Sequence, residues 1–521
     1  MAKRVVVDPM TRIEGHLRVE VEVDAGVVSD AWVSGSLHRG MEAVLKNRRP
    51  QDAFYISQRI CGVCPISHGH ASTMSTESVY GLTIPNGARL VRNIIEGAQF
   101  LHSHILWFYT LAALDYVDPT KALEANIADT YALAQAAGTS ISDFGAVQKR
   151  LATLIEGGQL SIFSNGWFDH PEYAQDMPAE LHLIAVAHYL EALEAQSWAT
   201  QIIAIMGGKF PHFMTSINGG TSFVPTAQNL DDVLFRLLKV VDFVKNAMIP
   251  DTLAIASYYL PATTFGAGVG NYLSWGVFDS ESFERSERFL PAGVIKNLEF
   301  KVEDSMPESV TEYVEHSWYS SPSGLNPSKG ETTLDFTEYD TDSKYSWGKA
   351  VRYDDMPTEV GPLSRMLVAY VSGVKPVQEL IDGTLEALGV PGQPEVLISL
   401  LGRVAARNLE TAYVADITAG WVGELVEAVK GGNVSLFEPH EVTDGDGIGL
   451  WEAPRGSVGH WMSVAGGKID RYQVVAPTTW NIAPRDADGV RGPMEEALIG
   501  APVIDPEKPL NVVRIARSFD P

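Results

Sequence analysis

The sequence predicts an α+β fold, with a predominantly helical core and β-hairpins near the N- and C-termini. Three observations predict it. Apolar and polar residues alternate over residues 4–34, apolar residues recur at helical spacing through the long middle, and alternation returns near residues 460–478. With 521 residues, 45% of them apolar, the chain can bury a large core. Strands at both ends of a helical middle suggest a single domain over 1–521 whose termini meet. Its β-containing ends are expected at 1–40 and 440–500, its helical core at 41–255 and 360–432, and an irregular excursion at 256–350.

The first hairpin is read from "HLRVEVEVDAGVVSDAWVSGS", which turns at Asp24-Ala25-Gly26. From Leu90 to Tyr116 a helix is predicted, because Leu90, Ile94, Ala98, Leu101, Ile105, Phe108 and Ala112 fall on one stripe after Pro85-Asn86-Gly87. Further helices are predicted over 178–206 and 228–247. Residues 256–350 are rich in Ser, Gly, Pro, Tyr and Trp and hold only short strand-like pieces. Helical pattern resumes near 363, and a long segment over 394–430 stops at Gly431-Gly432. "HWMSVAGGKIDRYQVVAPT" reads as a second hairpin, turning at Gly466-Gly467. Leu510 to Ser518 is helical in pattern but runs into Phe519-Asp520-Pro521, with no glycine to stop it.

Sixty-five acidic residues against 39 basic ones give a formal charge of -26, which argues against nucleic acid or anionic lipid as the main partner. Only two cysteines occur, Cys61 and Cys64, so no disulfide framework is expected. The start, "MAKRVVVDPM", has no apolar signal core, and the most apolar stretches fall short of a membrane span. Export would therefore depend on a signal carried by another chain.

"QRICGVCPISHGH" carries the most chemistry. Two thiols separated by two residues can share a metal or form a redox disulfide. A thioredoxin-like reading lacks its βαβ surroundings. Structural zinc would need two more ligands, for which His68 and His70 are the near candidates, although packing is the usual fate of a histidine. Other polar segments stand out: "DPMTRIEGHLRVE" with Arg12, Glu14 and His16, "LHRGMEAVLKNRRPQDA" with Glu42, "EAPRGSVGHW" with Arg455, "APTTWNIAPRD" and "RGPMEEALIG". Each alone has a plain explanation, such as a loop tripeptide or a surface ion pair.

In this order they resemble the large subunit of nickel-iron hydrogenases, from Val5 to Pro521. The resemblance rests on Arg12-Ile13-Glu14-Gly15-His16, Arg59-Ile60-Cys61-Gly62-Val63-Cys64 with His68, and Gly207-Gly208-Lys209-Phe210-Pro211-His212. It continues through Glu359-Val360-Gly361-Pro362-Leu363, Glu452-Ala453-Pro454-Arg455-Gly456, Pro477-Thr478-Thr479-Trp480-Asn481 and Arg517-Ser518-Phe519-Asp520-Pro521. It implies the hydrogenase large-subunit fold and reversible heterolytic cleavage of H2. It also implies a nickel-iron centre on four thiolates, two of them from an N-terminal pair, with carbon monoxide and cyanide on the iron. By resemblance Cys61 is a terminal nickel ligand and Cys64 a bridge. Glu14 opens the proton path, Arg455 sits over the metals, and Asp520 orients it. Pro454, Pro477 and Thr478 line the pocket of the diatomic ligands, with Thr478 donating to cyanide, and His68 donates to a cysteine sulfur. Glu42 and the carbonyl of Ile482 are implied ligands of a magnesium or iron ion near the C-terminus.

Two departures matter. Ser103 stands where the family usually has an acid, and Trp107 where a His is common, which leaves Asp520 with more of the orienting work. Two cysteines cannot build a four-cysteine cluster, so the electrons are expected to pass to an iron–sulfur small subunit in a heterodimer. That partner carries the export signal in exported members, which points to the periplasm or a membrane-associated complex, with the cytoplasm as the alternative. Rival readings are a hydrogen-sensing regulatory member, a complex I-type relative without metal thiolates, and a CxxC redox protein. With two of four thiolates, the chain as written is expected to be inactive. Pro65, "SHILWFYTLAALDYV" with Ser103, and "RGPMEEALIG" resemble the nickel-iron-selenium branch. There a selenocysteine comes directly after the final Asp-Pro, so the expected residue after Pro521 is selenocysteine or cysteine.

Overall fold

The alternation at the start builds a three-stranded antiparallel sheet from β1 (Lys3–Val7), β2 (Leu17–Asp24) and β3 (Val27–Gly35). In this computed structural model, which describes residues 2–159, 166–168, 170–320, 322–432 and 434–521, Leu17, Val19, Val21 and Val23 of β2 all enter the main core. The turn falls where the sequence puts it. Ala25 and Gly26 both take positive φ, 49° and 84°, the hand that suits a tight hairpin.

Helices fill the middle: α1 (Pro65–Tyr80), α2 (Asn86–Leu106), α3 (Ala179–Gly207) and α4 (Ala227–Phe243). The α2 stripe of Leu90, Ile94, Ala98, Leu101 and Ile105 is fully buried. The expected helix to Tyr116 changes character sooner. After Leu106 the chain widens into a π-helical turn over Trp107–Ala112, then a 3-10 turn over Ala113–Asp115. A π turn adds a residue per turn and rotates the residues beyond it.

The expected irregular excursion holds ordered pieces. β4 (Tyr272–Val277) pairs antiparallel with β5 (Leu290–Ile295), and the two-residue β6 (Glu359–Val360) adds to β4 in parallel. Next come α5 (Pro362–Val371) and α6 (Leu400–Lys430), a 31-residue helix buried along most of its length. The expected start at 394 is a separate 3-10 turn, Pro394–Leu397.

Near the C-terminus β7 (Gly445–Ala453), β8 (Gly456–Ala465) and β9 (Lys468–Val475) form an antiparallel sheet. Gly466 and Gly467, at φ 60° and 71°, make its predicted turn. The sheet lies directly on α1: a Cβ on Gly449 would sit 2.7 Å from the backbone nitrogen of Ser75. The short helices α7 (Pro477–Asn481) and α8 (Pro493–Leu498) lead to α9 (Leu510–Ser518). The two ends of the chain meet. Val28 N–H donates to Ala501 O at 3.0 Å, and Glu14 N–H donates to Pro521 O at 3.2 Å. No helix among the described residues is long and apolar enough to cross a membrane.

Beneath the β7–β8 turn lies a buried ion network. Arg365 of α5 forks onto Glu410 of α6 at 2.5 and 2.7 Å and reaches Glu452 of β7 at 2.7 Å. It also donates to the carbonyls of Ala453 and Pro454, both at 2.9 Å. Burial alone would raise the Glu410 carboxyl, but Arg365 and His104 hold it down to about 2. Replacing Arg365 by Met leaves two carboxylates buried without their cation, a loss of about 3–5 kcal/mol. The expected outcome is a large drop in the urea midpoint of unfolding, whereas an unchanged midpoint would show the network to be dispensable.

Candidate metal and active site

The cysteine loop is built by a short 3-10 turn, Gln58–Ile60, that delivers Cys61 in extended backbone, and by α1, which begins just after Cys64 with Pro65 at its first position. Cys64 N–H donates to Cys61 Sγ at 3.0 Å. The loop is fastened by Gln99, which donates to Val63 O at 2.5 Å, and by Ser57, whose hydroxyl donates to His68 O at 3.2 Å. A hydrogen bond from the Cys64 side chain brings the Cys61 thiol down to about 6, helped by the charge of Arg455 and by the backbone N–H groups of Cys64 and Val63. Donating that bond, together with burial, pushes the Cys64 thiol up. A single proton shared between two sulfurs is what a pair of prospective metal ligands looks like before the metal displaces it.

Within electrostatic reach of both thiols stands Arg455, in the two-residue turn Pro454-Arg455 between β7 and β8. Its Nη2 lies 3.0 and 3.2 Å from the two oxygens of Asp520 and pairs with Glu14. Burial opposes the Arg455 charge, but Asp520, Glu14 and the cysteines outweigh it and hold the charge firmly in place. Glu14 is pushed well up, chiefly by burial; Arg455 opposes the rise, and Asp520 and Cys61 add to it. A second guanidinium shares the same carboxylate. Arg407 Nη1 on α6 lies 3.1 Å from Asp520 Oδ2, and its carbon sits 4.6 Å from the ring centre of Trp107. Burial and the Arg455 charge lower Arg407 to about 10, against the pull of Asp520.

The end of the chain is held in place from several directions. Arg517 forks onto Asp115 at 2.8 and 2.9 Å, and Arg12 pairs with the same carboxylate. The indole N–H of Trp107, presented by the π turn, donates to Arg517 O at 2.9 Å. Arg514 packs on the rings of Tyr116, Tyr173 and Tyr259.

The structure thus brings Glu14, Arg455 and Asp520 together beside Cys61 and Cys64. Pro454 and Pro477 are buried, and Thr478 is half-buried at the start of α7. His68 Nδ1 lies 3.1 Å from His460 Nε2, so any bond to a cysteine sulfur falls to its other ring nitrogen. Glu42 is engaged elsewhere: Val474 N–H donates to it at 3.0 Å, and Thr332 donates to its other oxygen. No described hydrogen bond joins Glu42 to the Ile482 carbonyl or to the Arg455 group. Ser103 is fully buried, and its hydroxyl has no partner among the described residues.

Sequence reasoning passed over Arg407, Glu410, Arg365 and His460. One signal was present. Arg403, Arg407 and Glu410 recur at helical spacing inside a segment that is otherwise apolar on that side, so these charges sit on the core face.

Among the described residues no three His, Cys, Asp or Glu side chains converge as a complete metal site. The fit to a thiolate-bound metal pair rests on charge. Arg455 Nε and Nη1 and Arg407 Nε are buried without acceptors among the described residues. Arg455 and Arg407 share Asp520 while burial drives Glu14 toward its neutral form, an excess of positive charge that the lowered Cys61 thiol already meets in part. An anionic group on Cys61 and Cys64 would balance this excess, and soft thiolates suit nickel and iron.

A family model described as nickel-dependent hydrogenase matches residues 39–521, and one described as HoxL-like matches residues 4–34. The chain is 39% identical to the Hydrogenase-2 large chain of Escherichia coli K12, covering 100% of this chain and 96% of that protein. It is 38% identical to the uptake hydrogenase large subunit of Rhizobium leguminosarum bv. viciae, over 100% of this chain and 94% of that one. Among solved structures, the [NiFeSe]-hydrogenase of Dm. baculatum superimposes with a TM-score of 0.84 at 34% identity, covering 100% of this chain and 99% of that chain. The Ni-Fe-Se hydrogenase of D. vulgaris Hildenborough gives 0.82 at 34% identity, covering 100% and 98%.

In the metal-free chain the two thiols should react unequally. Cys61, whose thiol the Cys64 hydrogen bond and the Arg455 charge hold below its usual range, is expected to take iodoacetamide with a rate that rises at lower pH than an ordinary thiol's, while Cys64 lags. Peptide mass spectrometry after timed labelling reads both. A Cys61 rate that climbs only in the ordinary thiol range, about pH 8–9, would contradict the shared-proton geometry.

Proposed function

The chain belongs to the nickel-dependent hydrogenase family, and from that premise we propose that it is the catalytic large subunit of a nickel-iron hydrogenase, cleaving H2 reversibly and heterolytically into protons and electrons. The observation that carries this reading is the buried Arg455, which pairs with Glu14 and Asp520 within electrostatic reach of the chain's two cysteines.

Cys61 and Cys64 would hold the metal pair, with carbon monoxide and cyanide on the iron. When bound, that centre supplies the Lewis acidity and redox capacity that H2 cleavage needs. Arg455 contributes a positive charge that no accessible pH removes, aligned before reaction and shielded from water. Asp520 keeps the guanidinium in register. Glu14 takes the proton: burial raises its affinity for one, and the fixed Arg455 charge opposes that rise and so favours release. Pro454 and Pro477 exclude water from the diatomic ligands, and the Thr478 hydroxyl offers a donor to cyanide. His68 donates to a cysteine sulfur. Glu42 and the Ile482 carbonyl offer oxygen to a magnesium or iron ion, the donor type a hard cation prefers.

Two electrons per H2 need an acceptor that two cysteines cannot build, so we assign an iron–sulfur small subunit as partner in a heterodimer. The partner would also bring the chain to the periplasm or to a membrane. We further place the chain in the nickel-iron-selenium branch. Support comes from Pro65, Ser103 and "RGPMEEALIG" and from the likeness of fold to two Ni-Fe-Se hydrogenases. Any residue joined to Pro521 would start beside Glu14, whose N–H meets the Pro521 carbonyl.

The heterodimer, purified without oxygen, is expected to contain nickel and iron, to show infrared bands of carbon monoxide and cyanide, and to reduce a viologen dye with H2. A protein without nickel and without turnover would end the reading. One selenium per nickel is expected, and nickel without selenium would remove the branch assignment alone. Glu14→Gln should lower turnover on the order of 10²-fold or more, with metal content unchanged. Arg455→Lys should lower it on the order of 10²–10³-fold.

A further inference from the structure

The buried ion network beneath the β7–β8 turn does not end at Glu410. It runs on to Asp520 through two residues that the mechanism above leaves unused, His104 and Arg407. His104 of α2 has its Nε2 2.8 Å from Glu410 Oε2 and its Nδ1 3.2 Å from Arg407 Nη1. Arg407 Nη1 also lies 3.1 Å from Asp520 Oδ2 and 3.4 Å from the Pro454 carbonyl. His104, Arg407, Glu410 and Asp520 are all at most 1% exposed, so bulk water does not compete for these contacts.

The direction of each contact follows from the groups at the two ends. A guanidinium has only donors, and an ionised carboxylate has only acceptors. Arg407 therefore donates to His104 Nδ1, and His104 donates from Nε2 to Glu410. Through this link Arg455 is held at both ends. Arg365 fixes its backbone by donating to the carbonyls of the two residues before it, Ala453 and Pro454, both at 2.9 Å. The turn also lies against the end of β6, where a Cβ on Gly361 would sit 3.2 Å from the Arg455 carbonyl. Its guanidinium is set by Asp520, whose Oδ2 lies 3.0 Å from Arg455 Nη2 and 3.1 Å from Arg407 Nη1. That oxygen attracts both heads while the heads repel each other, so its place depends on Arg407 as much as on Arg455.

We propose that Arg407 is a positioning residue for Arg455 and that His104 holds Arg407 in place, so that one buried network fixes both the backbone and the guanidinium of Arg455. The inference rests on the hydrogenase reading above. Its consequence is geometric: a charged donor works best when aligned before the reaction, and a misplacement of about 1 Å can cost on the order of 10²-fold in rate.

The test is a double-mutant cycle on the purified heterodimer, with nickel and iron measured on each sample. Arg407→Met is expected to lower H2-driven dye reduction on the order of 10–10²-fold while the metals stay. In an Arg455→Lys background the same change should cost less than about twofold, because the group that Arg407 positions is already gone. His104→Leu should behave like Arg407→Met in both backgrounds. His104→Gln, whose amide carbonyl accepts from Arg407 and whose N–H donates to Glu410, should recover most of the turnover. If Arg407→Met does not accumulate, His104→Leu is taken through the same cycle. Losses that multiply in the double variant would overturn the proposal, as would parental turnover in Arg407→Met or His104→Leu, or a His104→Gln as slow as His104→Leu. A parent without nickel and without turnover would instead overturn the hydrogenase reading.

Discussion

Burying a guanidinium is costly unless acceptors are brought to it, and a carboxylate compensates most, because an unpaired charge in the interior costs several kcal/mol. This chain does so repeatedly, and the carboxylate usually comes from far along the sequence. Arg365 takes Glu410 and Glu452, Arg403 takes Glu359, Arg517 takes Asp115, and Arg455 takes Asp520 and Glu14. Each pair closes a loop that periodicity alone would leave open. The N-terminal segment, the middle helices and the last helix are therefore obliged to meet, and the place where they meet is the candidate active centre.

At Asp520 the matching stops being complete. One carboxylate serves both Arg455 and Arg407, and the remaining neighbour, Glu14, is pushed by burial toward its neutral form. Ser103, where a further acid is expected from the family pattern, supplies no charge. Outside the cysteine loop the interior thus keeps a surplus of positive charge, and the lowered Cys61 thiol is what faces it. An anionic metal–thiolate group on the two cysteines would answer the same surplus. The supporting pieces point the same way. The π turn after α2 aims the Trp107 N–H at the carbonyl of Arg517 and lays its ring under Arg407.

Short-range patterns set the limit of what was legible in the sequence. Both terminal hairpins could be read because alternation and turn residues act over a few positions, and α2, α3 and α6 because their apolar stripes do. The π turn at 107–112 could not, since one extra residue per turn leaves the apolar spacing almost intact. Nor could the parallel pairing of β6 with β4, which joins Glu359 to Tyr272 across an irregular stretch. In the site, Cys61, Cys64, Glu14, Arg455 and Asp520 were legible through family resemblance. Arg407 and Glu410 were hidden because a charge on a helix usually marks the solvent face. His460 was hidden because its partner, His68, is 392 positions away.

The last helix shows how conformation and chemistry compete for one position. Its cap is Phe519, and Asp520 comes next at φ 56°, in the left-handed conformation that glycine takes most readily after a helix. Asp520 N–H still closes the helix by donating to Arg517 O at 2.9 Å. An aspartate tolerates this backbone better than most residues with a Cβ, though not without strain. Glycine there would relax the backbone and leave Arg455 and Arg407 without their shared carboxylate. The missing glycine stop is thus a choice of charge over backbone comfort. The same left-handed step turns the chain so that Pro521 lies against Glu14, which places Glu14, Asp520 and the end of the last helix in one buried cluster.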